Sequence, residues 1–240
     1  MASFHFEIKS GRKGAAADHA AYIARQGYHG KREDLIATDY GNLPAWSDND
    51  PKKFWSAADR NERKNGATYR EAIIALPGEL TIMQNTALLA ELVAKIADDK
   101  PFQYALHAPI SSLEGELNLH GHVMTSDRVD DGIERPAETF FSRYNPRKPE
   151  AGGRKKASGG RNRMELRDEL IALRKTVAET INHHLAINGH GARVDHRTLK
   201  EQAVPRKAER HLGPARIRRM SAQEKAEYVA VRGSGHGGTA

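Results

Sequence analysis

Cysteine is absent from the 240 residues. That excludes disulfides and thiolate metal sites and leaves any metal to histidine or carboxylate ligands. Long apolar runs are also missing. No stretch approaches the ~18–20 apolar residues of a membrane span, so no membrane insertion is expected. The opening "MASFHFEIKSG" lacks the apolar segment of a secretory leader, and the expected compartment is the cytoplasm. Aromatic residues are few, 6%, within a hydrophobic total of 38%, which suits one domain with a modest core, or a domain plus an appendage. Basic residues are in excess: 38 Lys and Arg against 31 Asp and Glu, a formal charge of +7. Such an excess favours a polyanionic partner without specifying a fold.

Periodicity sets out the elements. "SFHFEIK" alternates as a half-buried strand, and "SGRKG" turns the chain into an alanine-rich helix stopped by Gly27. Residues 31–49 read as polar and irregular. Asp50 and Pro51 supply a cap and first turn for a helix ending at Gly66. "TYREAIIALP" reads as a strand. Thr81 and Gln84 form a capping box before a helix with the stripe Leu88, Leu89, Leu92, Val93 and Ile96. "FQYALHAPI" and "LNLHGHVMTSDRV" read as two strands joined by a polar loop. Residues 143–163 are rich in glycine and basic residues and read as a flexible loop. Leu166, Leu170, Leu173, Val177, Ile181 and Leu185 then mark a long amphipathic helix. The expected fold class is α+β, a central antiparallel sheet with flanking helices packed on one side. A domain over 1–215 and a flexible C-terminal tail over 216–240 are expected.

In "LNLHGHVMTS", His120 and His122 are two residues apart in a strand and so share a face. Two ligands rarely hold a metal. His107, in the preceding strand, falls roughly opposite His120 if the two strands pair, and cross-strand neighbours sit about 5 Å apart. Three imidazoles with open positions suit a catalytic ion better than a closed structural one. Twelve histidines also make a chance His-x-His pair unsurprising. The Asp-His continuation of metallo-β-lactamases and the paired His-x-Thr/Ser motifs of two-histidine phosphoesterases are both missing.

On a helical wheel, Ala16, Ala20, Ile23, Ala24 and Gly27 form the packing face of the first helix. Tyr22 falls among Asp18, His19, Arg25 and Gln26. It is either a plain exposed tyrosine or a phenolate nucleophile, with Tyr28 and Tyr40 as rivals. Glu71 is a lone acid on a strand face with Tyr69, Ile73 and Ala75. It fits either an edge position or a partner that orients a metal-bound histidine.

These segments together resemble a known family. The tyrosine in "AAYIARQG", the histidine of "ALHAP" and the run "LHGHVMTSDRVDDGIERPAETFFSRYN" resemble the MobA/MobL relaxases of mobilisable plasmids, particularly the IncQ type. "YREAIIALPGELT", "GHGARVDHRTLKEQ" and "HLGP" extend the likeness from residue 1 to about 215. The resemblance implies an HUH endonuclease in a bacterial cytoplasm. Such enzymes nick single-stranded DNA at an origin of transfer and stay joined through a 5′-phosphotyrosine. They later rejoin the strand. It implies Tyr22 as nucleophile, His107, His120 and His122 as metal ligands, and Glu71 as an active-site acid. A tyrosine preceding the histidine pair is the relaxase order, and a single helix tyrosine implies a single-nucleophile mechanism.

Mn²⁺ is the favoured ion, with Mg²⁺ supported by family analogy and Zn²⁺, Co²⁺ or Ni²⁺ acceptable to nitrogen ligands. Arg12, Lys13, Arg143, Arg147, Lys148, Arg154, Lys155, Lys156, Arg161 and Arg163 are the candidate phosphate contacts. Expected partners are origin-of-transfer DNA, accessory mobilisation proteins and a type IV secretion coupling protein. Two alternatives stand beside the relaxase: an HUH replication initiator or transposase, and a non-catalytic basic single-stranded DNA-binding protein.

Overall fold

The computed structural model describes residues 4–111, 113, 115–205, 212 and 214–234. Five strands, β1 (Phe6–Gly11), β2 (Leu35–Gly41), β3 (Tyr69–Ala75), β4 (Phe102–His107) and β5 (His120–Thr125), form one sheet in the order β1-β3-β5-β4-β2. Every neighbouring pair is antiparallel, as the α+β reading expects. β2 is a correction. It lies within the segment read as irregular, and it forms the sheet edge beside β4. Its central residues alternate between half-buried and exposed, so an edge position leaves little apolar pattern to read.

Helices cover both faces of the sheet, not one. On the first face lie α3 (Ile82–Ala97) and the C-terminal half of α5 (Arg163–Ile187). Leu88, Leu89, Leu92, Ile181 and Leu185 pack there on Ile74, Leu106 and Val123. On the second lie α1 (Ala16–Ile23), α2 (Pro51–Asn61) and the short α4 (Ala137–Phe140). Ala16, Ala20, Ile23, Phe54, Trp55, Phe140 and Phe141 pack there around Tyr69, Ala105 and Met124. The period of two in each strand divides the residues between these faces. Leu106 and Val123 go to the first; Ala105, Met124 and, with them, the histidines at 107, 120 and 122 go to the second.

The local signals hold at helix starts. Asp50 accepts from the Lys52 amide at 2.8 Å, and the Thr81–Gln84 capping box is formed. α2 stops at Asn61, short of Gly66. In the stripe of α5, Val177, Ile181 and Leu185 are buried, whereas Leu170 stays exposed.

The basic segment 143–163 is another correction, because it is pinned to the domain. Arg128 forms an ion pair with Glu62 and donates to the carbonyls of Phe141, Ser142 and Arg154. Arg135 pairs with Asp131 and donates to the carbonyls of Pro149 and Gly152. The glycines serve close approach: a Cβ on Gly153 would lie 2.1 Å from the Ser142 carbonyl oxygen. The tail expected to be flexible is helical over α6 (Pro214–Arg219) and α7 (Ala222–Ser234), and residues 235–240 of that expectation lie outside the described residues. No helix among the described residues is long and apolar enough to cross a membrane.

Candidate metal and nucleophile site

β4 and β5 pair so that His107 stands directly opposite His120 and Ala105 opposite His122. The three imidazoles meet with ring centroids 4.7–5.5 Å apart, and one ligand nitrogen from each lies within 4.8 Å of the others. His107 is fully buried, His122 nearly so and His120 half-buried.

Each ring donates one hydrogen bond that fixes its tautomer. His120 Nδ1 donates to the Asn118 carbonyl at 2.8 Å and His122 Nδ1 to Glu71 Oε1 at 2.7 Å, which leaves a lone pair on each Nε2. His107 Nε2 donates to the Ile23 carbonyl at 2.7 Å, so its lone pair is on Nδ1, which accepts from Arg25 Nη2 at 3.2 Å; an ion bound there would take the place of that hydrogen bond. Burial pushes the His107 pKa down to about 4 and lowers that of His120. Both are therefore neutral at pH 7, the state a metal ligand requires. Neutral nitrogen donors, clustered and held in one tautomer each, fit a divalent transition ion.

Glu71 is buried against His122 and is not an edge residue. Burial alone would raise its pKa, but the contacts from His122 and His19 outweigh that and leave it at about 2. Its ionised carboxylate fixes the His122 ring. His19 Nε2 lies 2.8 Å from the same Oε1.

α1 carries the tyrosine and is tied in place at both ends. Ala15 offers no capping side chain, and Asp59 of α2 replaces it by accepting from the amides of Gly14, Ala16 and Ala17 at 2.8–3.0 Å. The Ala20 and Ile23 carbonyls accept from Gln103 Nε2 at 3.2 Å and His107 Nε2 at 2.7 Å, both of β4. Ala16, Ala20, Ile23 and Ala24 are buried as the wheel expects, whereas Gly27 is exposed because α1 already ends at Ile23, and Tyr22 is half-buried at the edge of the packing. Its ring stacks on His19 at 5.8 Å and meets His29 edge-on at 5.3 Å. The Arg25 and Arg32 guanidinium carbons lie 4.7 and 5.5 Å from its centroid, and Arg32 Nη1 donates to its hydroxyl at 3.4 Å. Direct contacts thus run from Tyr22 through His19 and Glu71 to His122.

His19, Arg25, Arg32 and Asp34 belong to this site, and motif spacing did not reveal them. Only the positions of His19 and Arg25 on the polar face beside Tyr22 hinted at it. The basic candidates divide. Arg12, Lys13, Arg143, Arg147, Lys148, Lys155, Arg161 and Arg163 are exposed, with Arg161 paired to Glu169. Arg154 is buried against Asp130 at 2.6 Å, and Lys156 binds Glu62 at 3.1 Å and the Ala67 carbonyl at 2.9 Å. Those two are committed to the protein.

Comparison with known proteins places the chain. The model of the MobA/MobL family matches residues 13–223. A 43 kDa relaxation protein of Salmonella typhimurium is 41% identical over 209 residues, covering 86% of this chain and 56% of that protein. Mobilization protein A of Escherichia coli is 37% identical over 220 residues, 89% of this chain and 30% of its own length. The chain therefore spans about half or less of these relatives. A structure solved for the molecular basis of vancomycin resistance transfer in Staphylococcus aureus shares the fold, with a TM-score of 0.58 at 21% identity over 82% of this chain and 100% of that one. The family match over most of the chain and the two relatives lead to one conclusion: this chain belongs to the MobA/MobL family.

Proposed function

We propose that the chain is a relaxase unit that nicks single-stranded origin-of-transfer DNA through Tyr22, with a divalent ion, Mn²⁺ by preference, on His107, His120 and His122. The observation that carries this reading is the histidine cluster on the same sheet face as a half-buried tyrosine in contact with its supporting residues. The names of the relatives, a relaxation protein and a mobilization protein, support it.

A divalent ion bound there supplies positive charge to the oxygens of the scissile phosphate. The chain's residues do the rest. The Tyr22 oxygen loses its proton and forms the bond to phosphorus, and the bond from phosphorus to the 3′ oxygen breaks. That oxygen takes up a proton and leaves as a free 3′-OH. The 5′ side of the break stays on Tyr22 as a phosphodiester, so bond energy is conserved and the reverse reaction rejoins a strand. Neither ATP nor an activated water is needed. Arg32 and Arg25 flank the phenol oxygen and ring where negative charge develops. Glu71 and the Ile23 and Asn118 carbonyls hold the imidazoles in their ligand tautomers. Exposed cations, Arg12 and Lys13 before α1 and the surface of 143–163, follow the phosphate backbone. Accessory mobilisation proteins and a secretion coupling protein complete the proposed setting.

The test uses single-stranded oligonucleotides that tile the plasmid region beside the gene, labelled at either end, with Mn²⁺ or with chelator, on denaturing gels. A shifted covalent adduct that retains only the 3′ label, formed with Mn²⁺ and lost with chelator, is the expected result. Binding that survives chelator with no cut at any sequence contradicts the reading and favours the non-catalytic alternative.

A further inference from the structure

We infer that Arg25, clamped by Asp34, is a positioning residue that fixes the end of the tyrosine helix against the ligand His107. The inference rests on the nicking role proposed above. Arg25 Nε and Nη2 donate to the two Asp34 oxygens at 2.7 and 2.8 Å, Nη1 donates to the Tyr22 carbonyl at 2.8 Å, and Nη2 lies 3.2 Å from His107 Nδ1. The same guanidinium sits over the Tyr22 ring. One buried cation therefore touches the nucleophile's ring and backbone and, while no ion is bound, the lone-pair nitrogen of a ligand. It does so from a fork geometry that lysine cannot copy.

The backbone gives an independent reason to single it out. α1 ends in a Schellman motif: the Gln26 amide bonds the Ala21 carbonyl at 2.9 Å and the Arg25 amide bonds the Tyr22 carbonyl at 3.2 Å. Arg25 occupies the left-handed position of that motif at φ +51°, where glycine is the unstrained choice. A residue chosen only to end the helix would be glycine, and two residues later Gly27 has the same sign of φ. Strain accepted at a buried arginine is explained by what its side chain does. Asp34 is its counterpart from the start of the edge strand. There the Asp34 carbonyl also accepts from the Ala108 amide, and Leu35 pairs with His107. Hydrogen bonds from Arg25 hold the Asp34 carboxyl below the usual carboxylate range, so the clamp is charged at neutral pH. Arg25 and Asp34 thus join α1, β2 and β4 at the point where nucleophile and metal ligand must keep register.

Four variants test this: Arg25→Gly, Arg25→Lys, Asp34→Asn and the double Arg25→Gly/Asp34→Asn. Measurements are thermal unfolding, single-strand affinity, single-turnover nicking with saturating Mn²⁺, and the His107 ring ¹⁵N shifts in metal-free protein. Arg25→Gly relaxes the backbone and keeps the cap, so folding is retained. Nicking should fall about 100-fold, as for a misplaced reacting group, while DNA affinity stays within about threefold, under half a decade. Arg25→Lys should be similarly impaired, since charge without the fork does not restore position. The double variant should be no worse than the worse single, because the pair acts as one unit. The His107 Nδ1 resonance should move in all four while that of His120 stays. Nicking by Arg25→Gly within about threefold of wild type, or an unmoved His107 Nδ1, overturns the inference. If the wild type itself does not nick, the proposed function fails, and the His107 resonance alone then decides whether Arg25 positions this ring.

Discussion

Among the tyrosines near the site, Tyr22 has the surroundings a nucleophile needs. Tyr28 is 72% exposed and donates to Asp18 at 3.0 Å, and that hydrogen bond raises its pKa. Burial and the Glu71 charge hold Tyr69 at about 12. Tyr40 lies opposite Gln103, four residues along β4 from His107, which puts it roughly 13 Å along the sheet at 3.3 Å per residue. Only Tyr22 of these has two guanidiniums over its ring and one on its hydroxyl. Tyr22→Phe should therefore abolish the covalent adduct and leave DNA affinity within about twofold, a loss confined to the transition state; a filter-binding assay beside the adduct gel checks it.

The buried histidines also set an acid limit. A histidine whose folded pKa is below its unfolded value takes up protons on unfolding, so its stabilising contribution is complete above about 6.5 and is lost as pH falls toward 4. For His107 that amounts to on the order of 3 kcal/mol. His120 adds in the same direction, and Glu71 extends the loss from 4.5 toward 2. Urea unfolding of chelator-treated protein should show stability falling between pH 6.5 and 4, with a shallower fall in His107→Gln. A flat profile would contradict the buried neutral assignment. The histidine triad was legible in the sequence because a strand's period of two and one hairpin connection fix it. His19, Arg25 and Asp34 were not legible, because their partners arrive from β3, β4 and the α1 terminus through packing that no local spacing encodes.

At the scale of elements, the segment 143–163 separates charge that binds the fold from charge that faces solvent. Arg128 and Glu62 are both at least 97% buried at the side chain, so Arg128→Ala should cost about 3–5 kcal/mol by stripping buried Glu62 of its bidentate partner and leaving it to Lys156. Gly153→Ala should cost about 1–3 kcal/mol through its clash with the Ser142 carbonyl. Chemical denaturation measures both. Arg154→Ala and Lys156→Ala should lower stability, whereas Arg147→Ala or Lys148→Ala should leave it intact and weaken DNA binding. Composition alone presents all of these as one basic, glycine-rich stretch. The difference lies in Asp130 and Asp131, which claim Arg154, and in Glu62, which claims Lys156, all acids distant in sequence. β2 escaped notice for a related reason. An edge strand needs only one neighbour, β4, and its own residues need carry little apolar signal.

For the whole molecule, the sheet divides the work between its faces. One carries the aliphatic core under α3 and α5, and the other carries α1, the aromatic cluster and the site. Alternation along β4 and β5 was enough to place the histidines on one face, but it could not tell that helices would cover both. The net charge of +7 and the exposed cations should make single-strand binding salt-sensitive. The slope of log Kobs against log salt should be about −3.5 to −5 if about five to seven phosphates are contacted, and it should shrink by about 0.7 for each exposed cation removed. Fluorescence anisotropy across a salt series measures it.

Tryptic mass spectrometry of the Mn²⁺-dependent adduct identifies the atom that takes the DNA. Cleavage after Lys13, Arg25 and Lys31 separates peptide 14–25, which carries Tyr22, from peptide 26–31, which carries Tyr28. The expected result is a 5′-phosphonucleotide mass on Tyr22 in the first peptide. The same mass on Tyr28, on Tyr40 or on a histidine would contradict it.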